Sequence, residues 1–562
     1  MQTLREKLEL SSQFLIGTEL VSVRGGMSEG SAIKARTFAN QLVESPDIDW
    51  ISITDNAGGN PQLAPTALGK PILYAGKEVV IHLTCKDLNR NGLESEAWLL
   101  HSEGFNNILA MTGDYPVAGA GGTAKPVFDI DSVGLISMLN QMNGGFDPND
   151  ATSGGKRARF ERTQFLVGAV TTNFKLREGE VMPQYAKLAA KIRSGAKYII
   201  NQIGFDARKM SELLAYMRAH EMGHVPIIGN VYMLSARVAD VFHSGRIPGV
   251  VVTKELRDLC TRRSQAPDGG KEFFVELAAK QIAIYRGLGF RGAYLGGVHN
   301  FAVIEKILQL ERSFARDDWK QFARELSFSR PNEFFFYAPN SSTGLADATR
   351  RDVVPHSRSE HVGPLYHLSK LTHDLMFAPG WMSRLGARSC ASAANPLQGP
   401  KLMRVAEHVS KALLFSCKDC GDCSLPEIAF LCPESQCAKN QRNGPCGGTR
   451  DGRCEVEGYG DCIWLRAYER LKYDGRENQL VAHDAVVQDQ SLRGTSSWAN
   501  HWLGRDHVHH SFLERRQDAP SPREQPGSPS QAPDFTDQTK KTFLPQSSQS
   551  SDTEVTERKP VV

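Results

Sequence analysis

Eight short apolar runs, each rich in β-branched or aromatic side chains, recur at intervals of roughly thirty residues along the first part of the chain. They are FLIGTELVSV (14–23), DWISIT (49–54), VVIHLT (79–84), NNILAMT (106–112), QFLVGAV (164–170), YIINQI (198–203), PIIGNVYM (226–233) and GAYLGG (292–297). Between them lie segments such as ESEAWLLHSEGF, MPQYAKLAAKIRSGA and MSELLAYMRAHEMG, whose apolar positions return every three to four residues, the period of a helix with one buried face. Eight buried strands, each followed by a helix, predict a (β/α)8 TIM barrel over residues 1–312, with its chemistry at the C-terminal ends of the strands. An open doubly wound sheet would alternate in the same way, but no Gly-x-Gly-x-x-Gly turn follows the first strand.

The pattern changes after the barrel. PNEFFFYAPNSSTGL and the polar stretch behind it read as a connector over 313–400, followed by a Cys-rich metal-binding domain over 401–475 and a helical remnant and tail over 476–562. From about residue 516 the tail is dense in Pro, Ser and Gln and too poor in aliphatic residues to build a core, so it is expected to be disordered. The formal charge of +3 gives no reason to expect nucleic acid or an anionic membrane as partner. The start, MQTLREKLELSSQF, does not read as a secretory signal, and no run of apolar residues is long enough to span a bilayer, so a cytoplasmic protein is expected.

Thiols stay reduced in that compartment, so clustered cysteines are read as metal ligands rather than disulfides. Cys417, Cys420, Cys423, Cys432, Cys437, Cys446, Cys454 and Cys462 fall within 46 residues. Eight thiolates suffice for two four-cysteine sites, each holding zinc or a [4Fe-4S] cluster, and a module of this size needs a metal to hold it. Cys85, Cys260 and Cys390 lie apart and read as ordinary core or surface thiols.

HEMGH (220–224) matches the His-Glu-x-x-His spacing of zinc peptidases, a motif that needs both histidines on one continuous helix. Gly223 stands where a helix cap is expected and an apolar strand follows His224, so the two histidines are expected on either side of a helix stop. The later HWLGRDHVHHSF reads as a solvent-exposed His-containing tail.

Four segments, ITDNAGGN, IHLTCKD, LAMTGDYP and SGAKYIINQIGFD, follow in order on the second, third, fourth and sixth strands and together resemble methylenetetrahydrofolate reductase, a flavin-dependent barrel enzyme of one-carbon metabolism. The Cys-rich segment around RNGPCGG is similar to the C-terminal extension of some bacterial members and to a small partner subunit of acetogen enzymes. The resemblance implies that Glu19 is the catalytic acid and that Asp114 stabilises a cationic folate iminium beside the flavin. It also implies that Gln202 binds the pterin, that Thr54, His82 and Gly113 contact flavin, and that Lys191 lies near the cofactor phosphates. Thr112 stands where many members carry Arg, so FAD and FMN both stay open. The implied activity is hydride transfer between flavin N5 and folate, interconverting 5,10-methylenetetrahydrofolate and 5-methyltetrahydrofolate. Its implied partners are the folate substrate, NAD(P)H or an electron-carrier protein, and further copies of the chain in a homo-oligomer. Two rivals are a folate-binding methyltransferase barrel that engages a methyl carrier without flavin chemistry, and a non-enzymatic folate or metal sensor.

Overall fold

A computed structural model describes residues 2–116, 122–145, 160–352 and 361–509. Eight parallel strands close into a barrel in chain order: β1 Leu15–Leu20, β2 Trp50–Ile53, β3 Glu78–Thr84, β4 Asn107–Met111, β5 Leu166–Thr171, β6 Tyr198–Asn201, β7 Ile227–Tyr232 and β8 Gly292–Gly296. β1 pairs with both β2 and β8, with Thr18 opposite Ile51 on one side and Leu295 on the other.

Alternation along each strand sorts its residues into two sets. Outward side chains pack against the surrounding helices in the main core. Inward ones form a separate interior cluster of Leu15, Trp50, Val80, Leu109, Leu166, Tyr198, Ile200, Ile228 and Tyr294. The short helix Leu4–Leu10 adds Leu4 and Leu8 to this interior cluster, and Thr3 starts that helix with a capping box to Glu6. Two glycines make room for the large rings: a Cβ on Gly17 would lie 1.9 Å from the Trp50 ring, and one on Gly168 would lie 2.1 Å from the Tyr198 ring. Aromatic rings thus fill the lower barrel, and smaller, more polar residues are left for the upper end.

Beyond the barrel, the segment expected as a connector is built against the barrel wall. Phe334, Phe335, Phe336 and Tyr337 are all buried. The buried Glu212 carboxylate accepts the Phe336 and Tyr337 amides at 2.6 and 3.2 Å, and the Lys209 ammonium donates to the Phe334 carbonyl. A two-stranded antiparallel sheet follows, β9 Tyr337–Pro339 with β10 Ala346–Arg351. Residues 476–509 also carry core: Val487 packs into the barrel's outer core, and Arg90 donates to the Gln488 carbonyl at 2.8 Å. Barrel and Cys-rich segment lie in one compact unit, Met1–Ala519. The tail expected to be disordered lies outside the described residues. Among the described residues no helix is long and apolar enough to cross a membrane.

HEMGH is a helix end. Helix Ala207–Ala219 stops at His220, whose Nδ1 bonds the Tyr216 carbonyl at 2.9 Å, while His224 Nδ1 bonds the Glu221 carbonyl at 2.9 Å. The left-handed residue of the stop is Glu221 (φ 59°) and not the expected Gly223, because the chain reverses directly after His220.

The glycine–ring pairing is testable. Gly168→Ala should lower the unfolding free energy by about 1–3 kcal/mol. Denaturant titration should show Tyr198→Leu recovering part of that loss in the double variant, since it removes the ring with which the new methyl collides.

Candidate functional site

Strand parity places most of the expected site residues together. On β1 the interior positions are Leu15, Gly17 and Glu19; on β2 Trp50 and Ser52, with Thr54 next in step; on β3 Val80 and His82; on β4 Leu109 and Met111, with Gly113 next; on β6 Tyr198 and Ile200, with Gln202 next. Glu19 and His82 therefore face inward near the C-terminal ends of β1 and β3, beside the interior Tyr294, and Thr54, Gly113 and Gln202 stand just past the ends of β2, β4 and β6. Asp114 is held at the rim, where its Oδ2 accepts the Gly58 amide at 2.8 Å.

Burial sets the state of these groups. It raises the Glu19 carboxyl above the ordinary glutamate value, and a hydrogen bond from the Gly297 amide opposes that only in part. Burial also pushes His82 down to about 4, so its imidazole is neutral at pH 7. His82 Nε2 is buried and has no hydrogen-bond partner among the described residues. An unpaired polar atom on an interior wall is costly, so it marks a place where a polar ligand edge would be bound. Thr54 Oγ1 accepts the Ser22 amide at 3.0 Å, which ties the loop after β1 to the end of β2. Gly113 has φ 88°, and a Cβ there would lie 3.0 Å from Thr84, so the backbone approaches the site closely.

Lys191 stands apart from this group. It lies on helix Glu178–Arg193, and its ammonium is buried against the outside of the barrel, donating to the Val170 carbonyl at 2.6 Å. Burial, reinforced by Lys187, lowers it to about 7.

Residues that the sequence reading did not single out close the barrel mouth. A loop of the Cys-rich segment, residues 439–449, lies across the ends of β4 and β5 and is gripped by three buried lysines. The Lys439 ammonium donates to the Gly113 carbonyl at 2.8 Å and pairs with Glu455 at 2.6 Å. Lys187 donates to Gln441 Oε1 at 2.7 Å and the Gly444 carbonyl at 3.0 Å, and lies 3.5 Å from Asp131. Lys175 donates to the Gly447 and Thr449 carbonyls at 2.6 and 2.5 Å. Asp131 also takes the Asn443 amide at 3.1 Å, and Thr112 meets Gln441 at 3.3 Å. The negative charge of Asp114 helps to keep Lys439 protonated. Lysines on helices and loops usually read as solvated surface, and only the fold brings these three to one place.

The eight clustered cysteines divide into two sets of four, and all are free thiols. Cys437, Cys446, Cys454 and Cys462 line one pocket, with Lys439 on its wall. Cys417, Cys420 and Cys423 line a second. Cys432 belongs with this second set: after burial, its proximity helps raise the Cys417 and Cys423 thiols. Among the described residues no three cysteine sulfurs gather within 4.8 Å of one another. A single zinc ion, at about 2.3 Å from each thiolate, would hold them closer than that, whereas a cubane spreads four thiolates over four irons. Cys85, Cys260 and Cys390 are buried as ordinary core thiols.

The group that does meet single-ion spacing is His501, Asp506 and His509. This corrects the expectation of a loose histidine tail. Asp506 is buried and accepts His501 Nδ1 at 2.8 Å and His509 Nδ1 at 2.7 Å, because His507 between them turns inward to Asp422 and folds the segment back. The three side chains could hold a metal ion.

The family model described as "Methylenetetrahydrofolate reductase" matches residues 36–309, and one described as "Methylene-tetrahydrofolate reductase C terminal" matches 399–491. Glu19 precedes the first of these ranges. No curated protein matches the chain. Among solved structures, an uncharacterized protein from Clostridium thermocellum that binds two copies of 5-methyl-5,6,7,8-tetrahydrofolic acid is 13% identical, covering 55% of this chain and 97% of its own at a TM-score of 0.39. A putative deoxyribose-phosphate aldolase from Toxoplasma gondii is 11% identical over 55% and 94% with a TM-score of 0.28. Yersinia pestis DHPS, solved with a pterine-sulfa conjugate, is 10% identical over 54% and 94% with a TM-score of 0.29.

The lysine grip makes a stability prediction. Lys187→Met should leave the Asp131 carboxylate buried without its cation and cost about 3–5 kcal/mol. Urea unfolding should show that Asp131→Asn in the same chain restores part of the loss.

Proposed function

The chain belongs to the methylenetetrahydrofolate reductase family and carries that family's C-terminal extension, and on this premise we propose that it interconverts 5,10-methylenetetrahydrofolate and 5-methyltetrahydrofolate by hydride exchange with a bound flavin. The observation that carries the reading is Glu19: a carboxyl on the inner wall at the end of β1, with its proton held more tightly than usual by burial. Burial that favours the protonated carboxyl suits the role of an acid, since folate chemistry requires a proton at N10 to open the five-membered ring.

Glu19 gives its proton to N10, and the carboxylate left behind is stabilised by the Gly297 amide. Asp114, fixed by the Gly58 amide, faces the cationic iminium with a negative charge. Gln202 hydrogen-bonds the pterin ring, and the neutral His82 imidazole offers Nε2 to a polar ring edge. Thr54 and Gly113 line the flavin side, where the exposed backbone of Gly113 admits a flat ring closely. Flavin, when bound, supplies or accepts the hydride at the exocyclic carbon. The orphaned His82 nitrogen and the inward polar residues of the upper barrel fit such a group. FMN suits the site better than FAD: Lys191 is turned to a strand carbonyl, and Thr112 meets Gln441.

The two cysteine sets fit [4Fe-4S] clusters better than zinc, because their sulfurs are spread around pockets rather than drawn to one point. Such clusters would supply one-electron chemistry, which favours an electron-carrier protein over NAD(P)H as redox partner. The His501–Asp506–His509 group suits a structural ion such as zinc. Free thiols in this number fit a reducing cytoplasm.

Glu19→Gln separates this reading from a binding protein. The variant should keep its affinity for 5-methyltetrahydrofolate while turnover with an artificial electron acceptor falls by about 10²–10⁴. Turnover equal to that of the unaltered protein would overturn the assignment.

A further inference from the structure

Three helices beyond the barrel have their apolar sides turned outward. In helix Lys401–Phe415 the two buried residues are Glu407 and Lys411. The Glu407 carboxylate accepts the Ser496 and Ser497 hydroxyls at 2.6 and 2.7 Å, and the Lys411 ammonium pairs with Glu407 at 3.2 Å. The polar side of this helix is thus the docked one. Leu402, Val405, Val409 and Leu413 fall in steps of three and four, one stripe of the opposite face, and Leu402 and Leu413 are 83% and 80% exposed.

The neighbouring helices repeat the pattern. Helix Pro364–Phe377 buries only Tyr366, leaving Leu368, Leu371 and Leu375 in solvent, and helix Trp381–Ala391 buries only Cys390, with Trp381 71% exposed. These two helices pack together, and the second rests on helix Ser497–Trp502, whose Ser497 also holds Glu407. All three apolar faces therefore belong to one region of the molecule.

Twelve large apolar side chains from Leu365 to Leu414 are more than a third exposed. At roughly 100 Å² each they present about 1,200 Å², beyond the largest apolar patch of an ordinary monomer and above the ~800 Å² per partner of a stable interface. The chain beyond residue 509 has only scattered apolar residues among Pro, Ser, Gln and charge, too few to cover three helices. A face this aliphatic matches a permanent interface rather than a transient docking site, which would be smaller and more polar. A helical stripe of Leu and Val is also complementary to itself when a two-fold axis lays it antiparallel on its copy.

We infer that the apolar faces of helices Pro364–Phe377, Trp381–Ala391 and Lys401–Phe415 form a two-fold interface with a second copy of this chain. Sedimentation of the full-length protein at micromolar concentration should give twice the chain mass. Leu402→Glu with Leu413→Glu should weaken self-association by at least about thirtyfold, with the circular dichroism unchanged, since neither side chain is part of the core. Hydrogen exchange on the unaltered protein needs no variant: amides of 364–415 should exchange more slowly at high than at low concentration. A monomer at all concentrations, a dimer indifferent to the two glutamates, exchange independent of concentration, or a monomer that floats with phospholipid vesicles would each overturn the inference.

Discussion

Three buried ammonium groups hold the architecture together. Lys175, Lys187 and Lys439 are each almost wholly removed from solvent, and each spends its hydrogen bonds across the junction between the barrel mouth and the 439–449 loop. A buried ammonium is tolerated only when fully partnered. Such groups add little net stability, but a docking displaced by an ångström or two would leave charges unpaired, at a cost of several kcal/mol. They therefore act mainly by selecting one seating of the loop. Carbonyls of Gly444, Gly447 and Thr449 accept from the barrel's lysines, and the Gly113 carbonyl accepts from the module's own.

That seating makes the mouth a composite. Without the loop, the strand ends present Glu19, His82, Gly113 and Gln202 to an open funnel. With it, Lys439 lies beside Gly113 and near Asp114, and its other side faces the pocket lined by Cys437, Cys446, Cys454 and Cys462. One lysine thus joins the two sets of groups, and the cysteine pocket nearer the barrel is the one whose wall it forms. The spatial arrangement gives a reason for joining a folate barrel and a cysteine module in one chain.

The eight strands were legible because strands in such a barrel are buried on both faces and read as unbroken apolar runs. The candidate site residues came from the family resemblance, and strand parity explains why Glu19 and His82 point inward: each interrupts an apolar run at a position in step with the interior cluster. Lys191 rests on the same resemblance, and its ammonium is turned to the Val170 carbonyl rather than toward Glu19 and His82. Lysines 175, 187 and 439 were not legible, since each has a backbone carbonyl partner far away in the chain, up to 326 residues, and no side-chain pattern announces it. The histidine group failed for a local reason. RDHVHH looks like a polar tail until Asp422 draws His507 inward and brings Asp506 between His501 and His509. HEMGH shows the opposite error avoided, because the helix period ends where the motif needs it to continue.

The central claim is that the upper barrel is a flavin site whose neighbouring acid opens or closes the folate ring. The most direct measurement is the visible spectrum of anaerobically purified protein as 5-methyltetrahydrofolate is added. The account predicts an oxidised flavin band that bleaches as the folate is oxidised. A protein with no flavin band after reconstitution with FMN and FAD, or a bound flavin that stays oxidised in excess substrate, would contradict it.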